Sequence, residues 1–484
     1  MPQIKPHRTA IIRGDFSRPT RLALAYGIID DGIEFFDYGC GRGEDIAGLN
    51  KRGFIASGWD PFHRPDSSLS EADIVNIGFV VNVISEPAKR VEALRSAWNL
   101  TRKVLVVSAR LNNERRSLGA SRSYGDGFIT GNGTFQKFFS QSELRLWIDS
   151  ILEVDSIAIA PGIFLVFREE ADANAFLLKH RPRRIVTVKI SHADRIYDEN
   201  RELLNELMDF FSKRGRLPNT GEDPSLEQRI KEKARSYRRA WSIIERVTPA
   251  MDWQSVVDDR ADDLLVDIAL LKLNRRPNFK KLPLETQYDI RAFFGSYKSV
   301  VSEADDLLFS AGNLDLITEE ANHAEVGKRL PTSLYIHKSV LGELAPVLRV
   351  YEGCARWLAG EIENTTLIKL ATDKSKVSYL SYPTFDKDPH PALAFSTYVK
   401  LAALDVDYRD YSESVNPPIL HRKETFVLPE YPHFDKFERL TRQEEKFGLY
   451  DAETRTIGNR EGWEERLREC GVTTRGHRVV RLKV

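Results

Sequence analysis

The sequence predicts an α/β protein whose first part is a mainly parallel sheet ending in an antiparallel hairpin, followed by a largely helical α+β region. Three observations carry this. Short apolar runs alternate with helical stretches over residues 1–170. The run Val104-Leu-Val-Val107 is unbroken, as suits a strand buried on both faces. A glycine turn, Asp37-Tyr-Gly-Cys-Gly-Arg-Gly43, follows directly on the first run.

In chain order, strands are expected at Ile33–Asp37, Gly53–Asp60, Ala72–Ile77 and Val104–Val107. Helices are expected at Glu44–Lys51 and at Pro87–Leu100, where Val91, Leu94, Ala97 and Trp98 share a face. Such alternation implies crossover connections and a helix-covered parallel sheet. Ser140 is the expected N-cap of a helix to Leu152, with Glu143 completing a capping box. Val154–Ala160 and Gly162–Phe167, joined at Pro161-Gly162, should pair antiparallel.

Beyond Lys179 the texture changes. His180-Arg-Pro-Arg-Arg184 is a basic connector, and Asn200–Lys213 is an amphipathic helix with Leu203, Leu204, Leu207, Phe210 and Phe211 on one stripe. Leu226–Val247 reads as one strongly basic helix, with more helix to about Ser302. A helix at Val340–Glu361 then mixes with strands at Thr366–Leu370 and Val377–Tyr382. These shifts predict domains at 1–170, 171–300 and 301–484.

Composition narrows the function classes. The 484 residues are 42% hydrophobic and carry 71 basic and 71 acidic side chains, so the formal net charge is zero. A uniformly basic nucleic-acid coat and an acidic disordered chain are both excluded, and any basic surface must be local. Cys40, Cys354 and Cys470 are widely separated, and His337, His390, His421, His433 and His477 lack metal-ligand spacing. Neither a disulfide framework nor a bound metal is expected. With no membrane-length apolar run and no apolar stretch at the start, a cytoplasmic protein with no membrane partner is expected.

The glycine turn must bend sharply and approach a ligand closely, which bare backbone permits. Dinucleotide-binding loops place a third glycine where this chain has Glu44. An acid at a helix N-terminus repels a pyrophosphate, so a phosphate-free cofactor with a cationic centre suits the turn better. Asp60 closes the next run, 23 positions after Asp37. An acid there can accept both hydroxyls of a ribose, a contact worth about 1.5–3 kcal/mol. Cys40 reads as a small residue that fits the bend rather than a nucleophile.

These residues resemble the class I S-adenosylmethionine-dependent methyltransferases. The likeness continues through Asp73–Ile84, Val104–Ser108 and Gln136–Leu144, which look like the family's fourth strand and its sequel, its fifth strand, and the helix before its terminal hairpin. It implies a Rossmann-like seven-stranded sheet, S-adenosyl-L-methionine as cofactor, and a binding set of Asp37, Tyr38, Gly39, Cys40, Gly41, Gly43, Asp45, Asp60, Pro61 and Asn76. A narrower likeness, to the methyltransferases associated with DNA phosphorothioation gene clusters, rests on the glycine turn with Gly58-Trp-Asp-Pro61, Ala72–Gly78, Thr134-Phe-Gln-Lys137, Leu334-Tyr-Ile-His337, Asp388-Pro-His-Pro391 and Pro418–Glu424. It implies bacterial DNA modification or defence and protein partners from such a system.

Methyl transfer from a sulfonium is an in-line displacement in which positioning can supply about 7–11 kcal/mol. An exocyclic amine also needs hydrogen bonds that rehybridise its nitrogen, often from Asn/Asp-Pro-Pro-aromatic. This chain instead has Asn76-Ile-Gly-Phe79, with Asn82 beyond it. Asn76 and Asn82 are the candidates to orient an acceptor, against the competing reading of a cap or a core amide. Asn416-Pro-Pro-Ile419 follows a polar stretch and reads as a turn. Tyr124, Asp126, Thr134, Gln136 and Lys137 fall after the fifth-strand segment, where open sheets place ligands, and His7 and Arg8 are placed to fold over the cofactor or to fray.

Arg229, Lys231, Lys233, Arg235, Arg238 and Arg239 concentrate charge before Trp241, leaving Ile230, Ala234, Tyr237 and Trp241 as a buried stripe. Lys213–Pro218 and Arg181–Arg184 add two further basic sets. Clustered cations in a neutral chain are the footprint of phosphate binding; a solvated, internally neutralised face is the alternative. Two function classes follow: a methyltransferase acting on nucleic acid (DNA favoured, tRNA or a small molecule possible as acceptor), or a non-catalytic cofactor- or DNA-binding partner.

Overall fold

A computed structural model of the chain describes residues 14–117, 121–184 and 195–482. By its contacts the chain divides into two compact units. One holds residues up to 173 with 354–425 and 429–484, and the other holds 174–353 with 426–428. The expected segment 1–170 lies within the first unit, 171–300 falls almost wholly in the second, and 301–484 is shared between them.

The first unit is built on a Rossmann-like sheet. Its leading strands are β1 (Glu34–Tyr38), β2 (Ile55–Trp59), β3 (Ala72–Gly78) and β4 (Thr101–Ser108), and these pair in parallel. A small antiparallel sheet, β5 (Ser121–Tyr124), β6 (Gly127–Thr130) and β7 (Phe135–Gln136), follows β4. The hairpin β8 (Ile157–Ala160) and β9 (Ile163–Phe167) then returns to the main sheet, with β9 antiparallel to β4. The order is β2-β1-β3-β4-β9-β8.

Alternation along the strands sorts the two faces. Phe36, Tyr38, Val75, Ile77, Leu105 and Val107 point to one side, where α3 (Pro87–Asn99) and α4 (Gln141–Leu152) bury Leu94, Ala97, Leu144 and Ile148 against them. Helices α1 (Arg18–Ala25) and α2 (Glu44–Lys51) lie against the strands from the other side. Helix α4 starts as expected: Ser140 accepts from the Glu143 amide, and the Glu143 carboxylate returns to the Ser140 amide.

The main sheet has six strands among the described residues, not the seven expected. The link from Asp60 to Glu71 carries Pro61 and Pro65 and runs as turns and a bridge straight into β3. It is too short and too interrupted to supply another strand with its flanking helices. β2 is therefore an edge strand, and open edges invite unwanted pairing. Asn50, in the last turn of α2, covers the edge: its Nδ2 donates to the Ala56 carbonyl at 2.9 Å, and its Oδ1 accepts the Ala56 amide at 3.0 Å. One side chain thus imitates a paired strand.

The second unit is mostly helical, with α5 (Glu170–Lys179) leading in from the sheet. It contains α6 (Arg195–Glu199), α7 (Arg201–Arg214), α8 (Pro224–Ala234), α9 (Tyr237–Val247), α10 (Trp253–Leu271), α11 (Leu284–Phe294), α12 (Tyr297–Ser310) and α13 (Leu314–His323), then the short hairpin β10 (Lys328–Leu330) and β11 (Ser333–His337) and the start of α14 (Pro346–Ala359). Phe211, Trp241 and Trp253 pack ring on ring at its centre, with Phe211 and Trp241 stacked at 4.0 Å. Phe210 is only half-buried, unlike its predicted stripe partners.

The basic segment is two helices rather than one. Arg235 takes a left-handed φ of 70°, and Ser236 caps α9 by accepting the Arg239 amide. The capping hydroxyl competes with helix continuation, so an elbow forms at Arg235-Ser236. The helix predicted at Val340–Glu361 likewise begins as a 3₁₀ turn, with α14 proper starting at Pro346.

Back in the first unit, β12 (Leu367–Ala371), β13 (Lys376–Ser381), β14 (Phe395–Lys400) and β15 (Asp405–Asp410) form an antiparallel meander. After them come α15 (Phe434–Lys446), α16 (Thr454–Ile457), α17 (Arg460–Glu469) and the pair β16 (Val472–Thr474) and β17 (Val479–Arg481). A buried polar chain ties this region together. The Trp463 indole donates to His390 Nδ1 at 3.2 Å, His390 Nε2 meets Glu444 at 2.7 Å, and the Tyr450 hydroxyl donates to the other Glu444 oxygen at 2.5 Å. Nearby, Lys423 donates to the carbonyls of Phe385 and Asp388 and to His477. Burial pulls the Lys423 ammonium down to about 7.

Asn50→Ala removes both edge bonds at Ala56. It is expected to lower unfolding free energy by about 1–3 kcal/mol, at about 0.5–1.5 kcal/mol per hydrogen bond. It should also raise concentration-dependent association, read by urea titration and light scattering. An unchanged midpoint would show that Asn50 does not protect the edge.

Candidate functional site

β1 lies between β2 and β3, so the chain leaves β1 towards one side of the sheet and returns past it to the other. Open parallel sheets bind ligands at such a reversal, outside the carboxyl ends of the strands. Both halves of the predicted site stand there: the glycine turn after β1, and Asn76 near the end of β3.

Parallel register sets Asp37 beside Asn76 on one face. The Asn76 amide donates to Asp37 Oδ1 at 2.8 Å. Asn76 is 2% exposed, and its Oδ1 is buried with no hydrogen-bond partner among the described residues. A buried carbonyl oxygen left unsatisfied costs about 1–3 kcal/mol. Carboxylate and amide oxygen together form an acceptor-rich corner that suits a cationic, donor-bearing group.

The turn is pinned by its own backbone. The amides of Gly39 and Cys40 donate to the Trp59 carbonyl at 2.8 and 3.1 Å, and the Gly43 amide donates to the Cys40 carbonyl at 2.9 Å. Gly39 has φ of 82°, and a Cβ there would collide with the Val80 side chain. Asp60 fixes the middle: its Oδ2 accepts the Gly41 amide at 3.1 Å, while its Oδ1 accepts the amides of Phe62 and His63 at 2.9 and 2.8 Å. A carboxylate offers about four acceptor sites, so capacity remains for a ribose hydroxyl. Asp60 therefore shapes the turn.

The segment after β3 closes the other side. Phe79 sits at φ of 58°, a rarely populated region for a bulky residue, with its amide donating to the Ser108 carbonyl and hydroxyl at 3.0 and 3.1 Å. Asn82 is buried, donates to Gln136 Oε1 at 2.9 Å, and accepts the Lys137 amide at 2.7 Å through its carbonyl. Its Oδ1 also lacks a partner among the described residues. Arg90 of α3 makes two bonds to Asp126, at 2.6 and 2.5 Å, and Lys137 pairs with Asp126 and Glu143. Arg90 above all, with Lys137, holds the Asp126 carboxyl down to about 2, so it is ionised at neutral pH. Thr134 bonds to Thr130 within the small sheet, and Tyr124 packs on Phe135. The predicted polar loop is thus a braced platform.

Other predicted residues have structural duties. Tyr38 turns into the core, packing on Trp59 at 5.4 Å. Asp45 accepts the Ser17 amide and the Thr20 hydroxyl, both at 2.8 Å, and so joins α2 to the start of α1. Pro61 is exposed on the turn after Asp60. Burial pushes the Cys40 thiol up to about 12, and Asp37 adds to the shift; a thiolate nucleophile does not form there near neutrality. Asn416 exchanges hydrogen bonds with Glu461 in the C-terminal region. His7 and Arg8 lie outside the described residues. Among the described residues no group of three or more His, Cys, Asp or Glu side chains is arranged to hold a metal, and no helix is long and apolar enough to cross a membrane.

Two of the three basic sets in the second unit are neutralised internally. Arg214 pairs with Glu285 and Asp289, and buried Arg216 pairs with Glu222 and Asp289. Arg181 and Arg183 meet Asp267, and Arg184 meets Asp259. On α8, Arg229 is bound by Glu206 and Lys231 by Glu227. Lys233, Arg235, Arg238 and Arg239 are exposed around the elbow and make no ion pair within the described residues. Tyr237, predicted buried, is partly exposed there. The usable cations are four of the six predicted.

No family model and no curated protein matches the chain. Solved structures do match in part. A 1,6-didemethyltoxoflavin-N1-methyltransferase from Burkholderia thailandensis, with S-adenosylhomocysteine bound, is 12% identical over 32% of this chain and 79% of its own, with a TM-score of 0.24. An S-adenosylmethionine-bound amino pentose methyltransferase from Micromonospora echinaspora is 14% identical over 32% of this chain and 93% of its own, with a TM-score of 0.26. The CcbJ methyltransferase from Streptomyces caelestis is 10% identical over 32% of this chain and 90% of its own, at 0.25.

Asp60→Ala strips an acceptor from three backbone amides. It is expected to destabilise the first unit by about 1–3 kcal/mol, with Asp60→Asn costing less because one amide oxygen still accepts. Thermal unfolding of the two variants measures the order; equal losses would mean that the carboxylate does not organise the turn.

Proposed function

We propose that the protein is an S-adenosyl-L-methionine-dependent methyltransferase acting on nucleic acid, with DNA favoured, in a bacterial modification or defence system linked to phosphorothioation and alongside that system's proteins. The observation that carries the cofactor assignment is the strand-reversal site, where a glycine-rich turn locked by Asp60 lies beside the Asp37–Asn76 acceptor corner. The residues fit the group. The bare backbone of Gly39 and Gly41 would lie along it, Asp60 would hold the ribose, and Asp37 with Asn76 would hold its cationic part. The bound cofactor would supply an electrophilic methyl group.

The chain's own part is to bind, align and exclude water. Asn82, oriented by Gln136 at the platform edge, is the reading's candidate to receive an acceptor's N–H. The elbow cations Lys233, Arg235, Arg238 and Arg239 would hold phosphates. The DNA and phosphorothioation setting rests on the sequence segments already named. A second reading, a non-catalytic binding partner, draws on the engagement of Asn76 by Asp37 and of Asn82 by Gln136.

Titration calorimetry with S-adenosylmethionine is expected to show binding that Gly41→Trp abolishes; no heat from folded protein would remove the enzyme reading. Transfer of radiolabelled methyl to phosphorothioated DNA, unmodified DNA, tRNA and a small-molecule lysate fraction identifies the acceptor. Cofactor binding without transfer to any of these would favour the non-catalytic partner. Replacing Lys233, Arg235, Arg238 and Arg239 by Ala should make the slope of log K for DNA against log salt less steep by about 0.9 per lost phosphate contact. Replacing Arg229 and Lys231 instead should leave the slope nearly unchanged. The opposite ranking would move the interface away from the elbow.

A further inference from the structure

Arg64 is a cation that neither the glycine turn nor the basic segments drew attention to in the sequence. It ends the short turn that Asp60 begins: its amide donates to the Asp60 carbonyl at 3.1 Å, and the two residues form an isolated antiparallel bridge. With Asp60 also gripping the amides of Phe62 and His63, the backbone under Arg64 is held firmly. The side chain reaches back across the glycine turn. Its Nη2, Cζ and Nε lie 2.5, 2.6 and 2.8 Å from the position that a Cβ on Gly43 would take, and Nη2 donates to the Arg42 carbonyl at 3.4 Å.

Gly43 has φ of 81° and caps α2 without any side-chain hydrogen bond. A methyl group there would displace the guanidinium.

Arg64 makes no ion pair within the described residues, although it is only half-buried and close enough to influence the Cys40 thiol. Three carboxylates around the turn are engaged elsewhere: Asp60 by three amides, Asp37 by Asn76, and Asp45 by Ser17 and Thr20. A planar guanidinium without an ion pair presents a fork of donors suited to a carboxylate.

We infer that Arg64 binds the α-carboxylate of the cofactor, the one anionic group that S-adenosylmethionine carries, and so sets which sulfonium nucleosides the site accepts. The inference rests on the cofactor reading above and extends it to a selectivity residue. Asp60 would then read the sugar, and Arg64, four positions on, the amino-acid end. One rigid turn would set the spacing between them.

The test compares two probes by calorimetry, S-adenosylmethionine and its decarboxylated form, on the full chain. Wild type is expected to prefer the carboxylate-bearing compound. Arg64→Gln and Arg64→Ala should weaken that compound about tenfold or more, as for loss of a charge-assisted hydrogen bond, and leave the decarboxylated compound unchanged. Gly43→Ala, which crowds the guanidinium, should produce the same selective loss, with thermal melts confirming that each variant is folded. Equal weakening of both probes, or of neither, overturns the assignment of Arg64 while leaving the cofactor reading in place. Failure of wild type to bind either compound overturns both.

Discussion

One carboxylate links the two turns at the carboxyl edge of the main sheet. Asp60 stands where β2 ends and accepts one amide from the glycine turn and two from the turn that follows it. Both segments would otherwise be short and rich in unsatisfied donors at the carboxyl edge of a sheet. A charged acceptor buried to 9% exposure and satisfied on several sides ties them together without a metal or a disulfide. With three amides accepted, the carboxylate keeps acceptor capacity beyond them.

The missing edge strand bears on the same region. In a sheet that ends at β2, the turn after β2 is free to carry Arg64 back over the glycine turn instead of feeding a further helix and strand. The exposed edge left by this arrangement is shielded by Asn50. A shorter connection thus brings a cation to the glycine turn, and a side-chain amide does the work of a neighbouring strand.

Charge is distributed with similar economy. The chain is neutral overall, and in the second unit Arg181, Arg183, Arg214 and Arg216 each meet an aspartate or glutamate. Buried pairs of this kind fix helices in place more than they attract ligands. The cations left over collect where α8 breaks into α9, because Arg235 and Ser236 interrupt the helix and splay the charges at the elbow.

Much of this was legible in the chain itself. Apolar runs located β1 to β4, the helical period located α3 and α7, and the Ser140–Glu143 capping box was read from residue types alone, since these depend on neighbours a few positions apart. The glycine turn and Asp60 were legible for the same reason. What the sequence could not decide was partnership across distance. Only the fold showed that Asn76 reaches Asp37, that Asp45 serves α1, that Arg214 and Arg216 are spoken for, and that Arg64 lies over Gly43. Local propensity and spacing are properties of a short stretch of chain, whereas whether a charge or an amide is free depends on which remote group the tertiary structure sets against it.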